Sequence, residues 1–411
     1  MNRIVNAGQV LLRFATSAED VDESALLQIK EALQTIAHVA RGAGNLARTL
    51  TGRIGFQQNR EEIQSIVHKT LHLWNDPAIE QFLELDKWQS AGNVDLAKQK
   101  IISCFKNHDT SLYFSGLKLT SLPHKALRIL NVTLLNCNGC AIDKIHLSDL
   151  PQLQTLDCSD NPLQELTLER LDKLADVDCH SCALTSLYLS DLPQLKILYC
   201  SYNPLHELML ERLDTLMKVY CSRCALTRLH LSDLPQLQIL FSSNNYSLQE
   251  LTLERLNELA KVYCDGCALT RFRLSDLPQL QTLFFSGNHL LRELTLERLN
   301  KLAEVDCHDC ALTGLHLSDL PQLQRLYCSH NPLQRLPNGI FQLPRDSNVT
   351  LSHCAISTED RCRYYTLSRQ REYEGPRIEF GESHSLLLRS NEAASSSDDT
   401  TNNISSKKRK R

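Results

Sequence analysis

Apolar residues in the middle of the chain recur in a short, fixed pattern. One stretch reads Leu153-x-x-Leu156-x-Cys158-x-x-Asn161-x-Leu163, and the next reads Leu174-x-x-Val177-x-Cys179-x-x-Cys182-x-Leu184. In each, an apolar-x-apolar core marks a short strand that buries one face. The Asn-or-Cys position returns at Cys140, Asn161, Cys182, Asn203, Cys224, Asn245, Cys267, Asn288, Cys310, Asn331 and Cys354, mostly 21 residues apart and sometimes 22 or 23. A degenerate first copy lies at Leu112-Tyr-Phe114-x-x-Leu117-x-Leu119, which makes about 12 copies. A longer period is superimposed. The phrase Leu-Pro-Gln-Leu begins at Leu150, Leu192, Leu234, Leu277 and Leu320, at intervals of 42 or 43 residues. A second phrase, Leu-x-Leu-Glu-Arg-Leu, has its second leucine at Leu168, Leu210, Leu253 and Leu296.

This pattern fits L-x-x-L-x-L-x-x-N/C-x-L, the leucine-rich-repeat signature. It predicts an α/β-type leucine-rich-repeat solenoid over residues 112–356, with short parallel strands on its concave face. No single layer can bury its own leucines, so stability comes from stacking each layer on its neighbours. The Asn or Cys falls where the chain turns away from the strand. A buried Asn there can satisfy turn backbone groups that water cannot reach. Repeats of 21 to 23 residues leave no room for a full helix on the opposite side. Segments such as Glu165-Leu-Thr-Leu168 and Ser186-Leu-Tyr-Leu189 read as short extended pieces instead.

The flanks read differently. Residues 1–23 form a loose N-terminal, secretion-type segment, and residues 24–111 a helical region that caps the first repeat. Ala25, Leu26, Ile29, Leu33, Ile36 and Ala40 share one helical face, and further helical stretches cover 60–73, 77–86 and 93–106. Gly42, Gly44, Gly52 and Gly55 interrupt the pattern. After Cys354 the repeats stop, and residues 357–388 form a mixed closing segment. Residues 389–411 are a disordered tail by composition. That tail ends in Lys407, Lys408, Arg409, Lys410 and Arg411, which match a monopartite nuclear-import signal or, otherwise, a nonspecific basic tail.

Composition narrows the function classes. The formal net charge is −4 over 411 residues, so no global field draws the chain to nucleic acid or to an anionic membrane. Asn6, Gln9 and Arg13 break the N-terminal apolar run, so no classical secretory signal is expected. No window approaches 18 apolar residues, so no membrane insertion is expected either.

Five Cys-x-x-Cys pairs, at 137/140, 179/182, 221/224, 264/267 and 307/310, would alone point to zinc or redox work. The repeat frame assigns them otherwise. One cysteine of each pair takes an inward strand position and the other the ladder position, where a thiol packs as a small apolar group. Free thiols imply a reducing compartment. No metal and no cofactor is expected.

The residue after each inward Leu or Val faces the ligand side. That column runs Asp157, Asp178, Tyr199, Tyr220, Phe241, Tyr263, Phe284, Asp306 and Tyr327: five consecutive aromatics flanked by aspartates. The next column, from Ser159 and His180 to His308 and Ser329, is mostly serine. Exposed aromatics are frequent interface hot spots, so this column is the candidate protein-binding surface. Stacked rings would also stabilise neighbouring strands. Asp178/His180 and Asp306/His308 have the composition of acid–base or metal pairs, but they lie about six layers apart and read as a solvated polar face. No catalytic residue is assigned and no enzyme is expected.

Two flanking phrases carry a family resemblance. Trp88…Ala97-x-x-x-Ile101-x-x-Cys104-x-x-Asn107, followed by Leu112-Tyr-Phe-Ser-Gly-Leu-Lys-Leu-Thr-Ser-Leu-Pro123, resembles the approach to the repeats in type III secreted leucine-rich-repeat effectors, the YopM and IpaH/SspH group of Gram-negative pathogens. Tyr373-Glu-Gly-Pro-Arg-Ile-Glu-Phe380 is similar to the phrase that follows their last repeat. The resemblance implies a secreted bacterial effector that acts in the host cytoplasm, and with its basic tail in the host nucleus, by binding a host protein and interfering with signalling. In the ligase members the closing phrase precedes a large domain with a catalytic cysteine. Here 31 residues follow Phe380 and none is cysteine. An adaptor that recruits host ubiquitin-ligase machinery through the N-terminal helices is the alternative, and a pseudo-ligase that competes with its catalytic relatives is a third.

Overall fold

The computed structural model describes residues 88–381 apart from residue 129, together with residues 10, 27–29, 31, 32 and 85. Most of the helical region expected over 24–111 lies outside these residues, as do the tail 389–411 and its basic cluster. The boundary between two compact units falls between Leu195 and Lys196.

In the first unit, helix α1 (Val94–Asn107) precedes the first strand and lies against it. The Asn93 side chain accepts from the Leu96 amide at 3.2 Å, and Asp95 sits in the first turn, so both orphan amides and helix dipole are served at that end. Ala97, Ile101 and Cys104 fall on one helical face and are buried. Trp88 is tied to the first repeat by its indole N–H, which donates to Ser121 Oγ at 3.0 Å. Four strands follow in parallel register: β1 (Ser111–Tyr113), β2 (Leu134–Asn136), β3 (Thr155–Asp157) and β4 (Asp176–Asp178). A short helix α2 (His124–Leu127) lies between β1 and β2.

The second unit carries the same sheet pattern through β5 (Ile197–Tyr199), β6 (Lys218–Tyr220), β7 (Ile239–Phe241), β8 (Lys261–Tyr263), β9 (Thr282–Phe284), β10 (Glu304–Asp306), β11 (Arg325–Tyr327) and β12 (Asn348–Thr350). Every neighbouring pair is parallel. Each three-residue strand buries its middle residue and leaves the flanking two on the open face. On the other side of the repeats up to Gly314–Ser318 runs a five-residue strand, such as Arg228–Ser232, Glu250–Glu254 and Arg271–Ser275, which pair in parallel. The extended pieces expected at Glu165–Leu168 and Ser186–Leu189 are strands of this kind, Glu165–Glu169 and Ser186–Ser190. Strands occupy both sides of these repeats, and helix is confined to the flanks and the first and last repeats. Within each unit the fold is therefore a parallel-strand leucine-rich-repeat solenoid.

A ladder of short polar bonds holds successive layers in place. Asn245 Nδ2 donates to the Cys221 carbonyl at 2.9 Å and the Ser242 carbonyl at 2.7 Å, while its Oδ1 accepts from the Cys224 amide at 3.0 Å. Asn161, Asn288 and Asn331 likewise donate to the Cys137, Cys264 and Cys307 carbonyls, and their Oδ1 atoms accept from the Ile142, Leu269 and Leu312 amides. In alternate layers a cysteine takes over. Cys224, Cys267, Cys310 and Cys354 donate Sγ–H to the carbonyls of Cys200, Ser242, Phe285 and Cys328 at 3.2–3.5 Å. Burial pushes these ladder thiols up, Cys224 and Cys354 to about 11 and Cys267 and Cys310 to about 12. The thiols are thus protonated donors in a packed core, as the repeat frame predicts.

The closing segment contains both a helix and a strand. The sheet does not end with the repeats: β13 (Arg377–Glu379), inside the Tyr373–Phe380 phrase, adds one more parallel strand to β12. Helix α3 (Thr358–Ser368) packs over this end, capped by Ser357 Oγ accepting from the Asp360 amide at 3.1 Å. The Tyr364 hydroxyl accepts the outward amide of Ile378 at 2.9 Å, which satisfies a group on the sheet edge that no further strand reaches.

Candidate functional site

The open sheet face of the second unit consists of three columns of side chains. Because β5 to β9 pair in exact layer register, Tyr199, Tyr220, Phe241, Tyr263 and Phe284 are direct partners of one another. The spacing of strands, about 4.8 Å, is close to the thickness of a stacked ring pair. The first four rings stack accordingly. Tyr199 and Tyr220 lie 4.6 Å apart at 17°, Tyr220 and Phe241 4.9 Å at 8°, and Phe241 and Tyr263 4.4 Å at 4°. The run ends where Phe284 turns edge-on to Tyr263 at 5.5 Å and 89°. Stacking spends the ring faces on each other. The ring edges, which carry the positive end of the aromatic quadrupole, point outward.

The second column contains Ser201, Ser222, Ser243, Asp265, Ser286, His308 and Ser329. Asp265 is locked in this row. Its Oδ1 accepts from the Ser286 amide at 3.0 Å and hydroxyl at 2.8 Å, and its Oδ2 from Ser243 Oγ at 3.3 Å. Burial, with Glu304 and Asp265 nearby, raises the Tyr263 phenol, which stays a proton donor.

The third column precedes each inward residue and faces the same way. It reads Ile197, Lys218, Ile239, Lys261, Thr282, Glu304 and Arg325. Sequence reasoning missed it, although the two-residue period of a strand puts positions on both sides of an inward residue on one face. Glu304 and Arg325 pair with each other at 2.8 and 3.2 Å. Lys218 and Lys261 have no ion-pair or hydrogen-bond partner for their ammonium groups among the described residues.

The expected column is therefore only partly gathered. Asp306 follows Phe284 and holds the His308 ring and amide at 2.7 and 3.1 Å, and it separates Tyr327 from the stacked rings. Asp157 and Asp178 belong to the first unit, where the same column runs Tyr113, Asn136, Asp157 and Asp178. Asn136 Nδ2 donates to Asp157 Oδ2 at 2.7 Å, and Asp157 Oδ1 accepts from Ser159. Asp178 Oδ1 lies 2.7 Å from His180 Nδ1. Burial pulls the His180 imidazole down, but the Asp178 bond and the charges of Asp178, Asp160 and Asp157 outweigh it and raise it. Each Asp–His pair is closed on its own strand end. In the second unit two exposed tyrosines also escaped the sequence reading: Tyr202, 56% exposed with the Arg223 guanidinium 5.4 Å from its ring centre, and Tyr246, 69% exposed.

No protein-family model and no curated protein matches this sequence. Solved structures do resemble it. The leucine-rich-repeat domain of a Shigella effector is 18% identical, with 74% of this chain and 98% of that one covered and a TM-score of 0.28. YopM, a leucine-rich effector from Yersinia pestis, is 18% identical over 72% of this chain and 96% of that one, with a TM-score of 0.40. The functional domain of InlJ from Listeria monocytogenes, which includes a cysteine ladder, is 21% identical over 65% and 76% of the two chains, with a TM-score of 0.28. No helix among the described residues is long and apolar enough to cross a membrane.

Proposed function

We propose that the chain is a noncatalytic protein-binding scaffold of the bacterial effector kind, which engages a host protein through the open sheet face and interferes with host signalling. The observation that carries this reading is the ladder from Tyr199 to Phe284, five rings fixed in register on a backbone that is hydrogen-bonded layer to layer. Rigid aromatic area with little entropy left to lose is the usual anchor of an interface. The noncatalytic part draws support from the site chemistry. Aspartates 157, 178, 265 and 306 are engaged by neighbouring donors, and burial keeps the ladder thiols protonated. The effector part draws support from the Trp88–Pro123 and Tyr373–Phe380 phrases, which fold as the two ends of the repeat array.

Pull-down from host lysate with the intact chain and with a Tyr220→Ala, Phe241→Ala, Tyr263→Ala variant tests the reading. Partners should be lost from the variant while its circular dichroism is retained; undiminished capture would overturn the site. Deleting residues 1–84 separates the adaptor alternative, since only an adaptor loses ligase components by it. Nuclear entry through Lys407–Arg411 is checked by deleting those five residues from a fluorescent fusion, which should then stay cytoplasmic.

A further inference from the structure

Strands β6 and β8 carry the same triplet, Lys-Val-Tyr, and β7 between them carries Ile-Leu-Phe. The parallel register places Lys218 and Tyr220 level with Lys261 and Tyr263, two strand spacings away, or about 9.6 Å. Each triplet offers an ammonium group and a phenol hydroxyl on the open face, and none of these four groups has a hydrogen-bond or ion-pair partner among the described residues. Around them, charge of the opposite sign is already committed: Glu304 to Arg325, and Asp265 to its serines. Arg223, at the margin beside Tyr202, adds a further cation. The ring edges exposed by stacking are electropositive as well.

We infer that β6 and β8 form two equivalent carboxylate subsites, and that this face binds a polypeptide segment in the polyproline conformation with two acidic side chains three residues apart. The inference rests on the protein-binding reading above and names the partner's chemistry. The match is geometric. A polyproline helix returns to the same side every three residues and rises about 3.1 Å per residue, so such a pair is about 9.3 Å apart. The residues between the acids lie over Ile239 and Phe241, which suits proline or an aliphatic side chain. A nucleic acid fits less well. Its bases need open ring faces to stack on, and the faces of Tyr220, Phe241 and Tyr263 are covered by one another.

The test is selection of a random peptide display library on the intact chain, followed by fluorescence anisotropy of the selected peptides. Enrichment of Asp or Glu at i and i+3, with Pro or an aliphatic residue between, is expected. Lys218→Gln with Lys261→Gln should weaken those peptides at least tenfold, and replacing their two acids by amides should do the same. Affinity should fall as salt rises. Both lysines are on the open face, so the double variant keeps its fold, which its melting curve checks. Selected peptides without the acidic pair, equal binding by the lysine variant, or a library with no binder would each overturn the inference. In the first two cases, loss of binding by Phe241→Ala leaves the protein-binding reading standing; retention of binding sinks both.

Discussion

At the residue scale, the alternation of Asn and Cys in the ladder separates two strengths of stitch. An Asn joins three backbone groups across layers, whereas a Cys offers one weak S–H donor. Asn288→Ala would strand the Cys264 carbonyl and the Leu269 amide, both buried, and leave the Phe285 carbonyl with only the Cys310 thiol as donor. It should cost about 3 kcal/mol, since each orphaned buried group costs roughly 1–3 kcal/mol. Cys310→Ala should cost about 1 kcal/mol, mainly through lost packing. Urea denaturation of the two variants checks the ranking, and equal losses would contradict it. A second prediction concerns His180. Its raised imidazole should return toward the ordinary value in Asp178→Asn, as read by NMR titration. A group raised on folding stabilises below its unfolded value and loses that contribution as pH climbs through the folded one. The effect on stability is small because the pair is partly exposed. The ladder positions were legible in the sequence because their spacing is regular. Lys218 and Lys261 were not, because nothing about a lone lysine announces that its neighbours' opposite charges are already taken.

At the scale of elements, strand positions followed from the pattern on both sides of the repeats, since alternation fixes which residues face in. Ring geometry did not follow. Sequence placed the aromatics in one column, but stacking depends on how each ring is turned within that column, and Phe284, in register with Tyr263, stands edge-on to it. A double-mutant cycle on Phe241 and Tyr263, each to Leu, should give a coupling of about 0.5–1.5 kcal/mol; the coupling between Tyr263 and Phe284 reports the edge-on geometry in the same way. The turn before the 3-10 segment Ile340–Gln342 depends on Gly339, at φ 80°. A Cβ there would collide with the Leu317 carbonyl oxygen. Gly339→Ala should lower stability by at least about 2 kcal/mol through backbone strain and that clash, measured by thermal unfolding.

For the molecule as a whole, the closing segment was legible as an end but not as a strand. Its hydrophobic content is low, and only the pairing of Arg377–Glu379 with β12 reveals the role. Truncation after residue 356 would expose β12 along its length and remove the Tyr364 hydroxyl that serves the edge. The truncated chain should melt earlier and aggregate, as light scattering would record, because an open sheet edge invites pairing with other chains. The doublet Lys-Val-Tyr strands have a different kind of consequence. They lie 43 residues apart, one full long period, and each layer meets its neighbours through the same ladder. A gene duplication of that length would splice in a third carboxylate subsite at unchanged spacing, without any new solution to core packing. The chain's ligand length is thus heritable in steps of one period, while its ligand chemistry can drift one surface residue at a time.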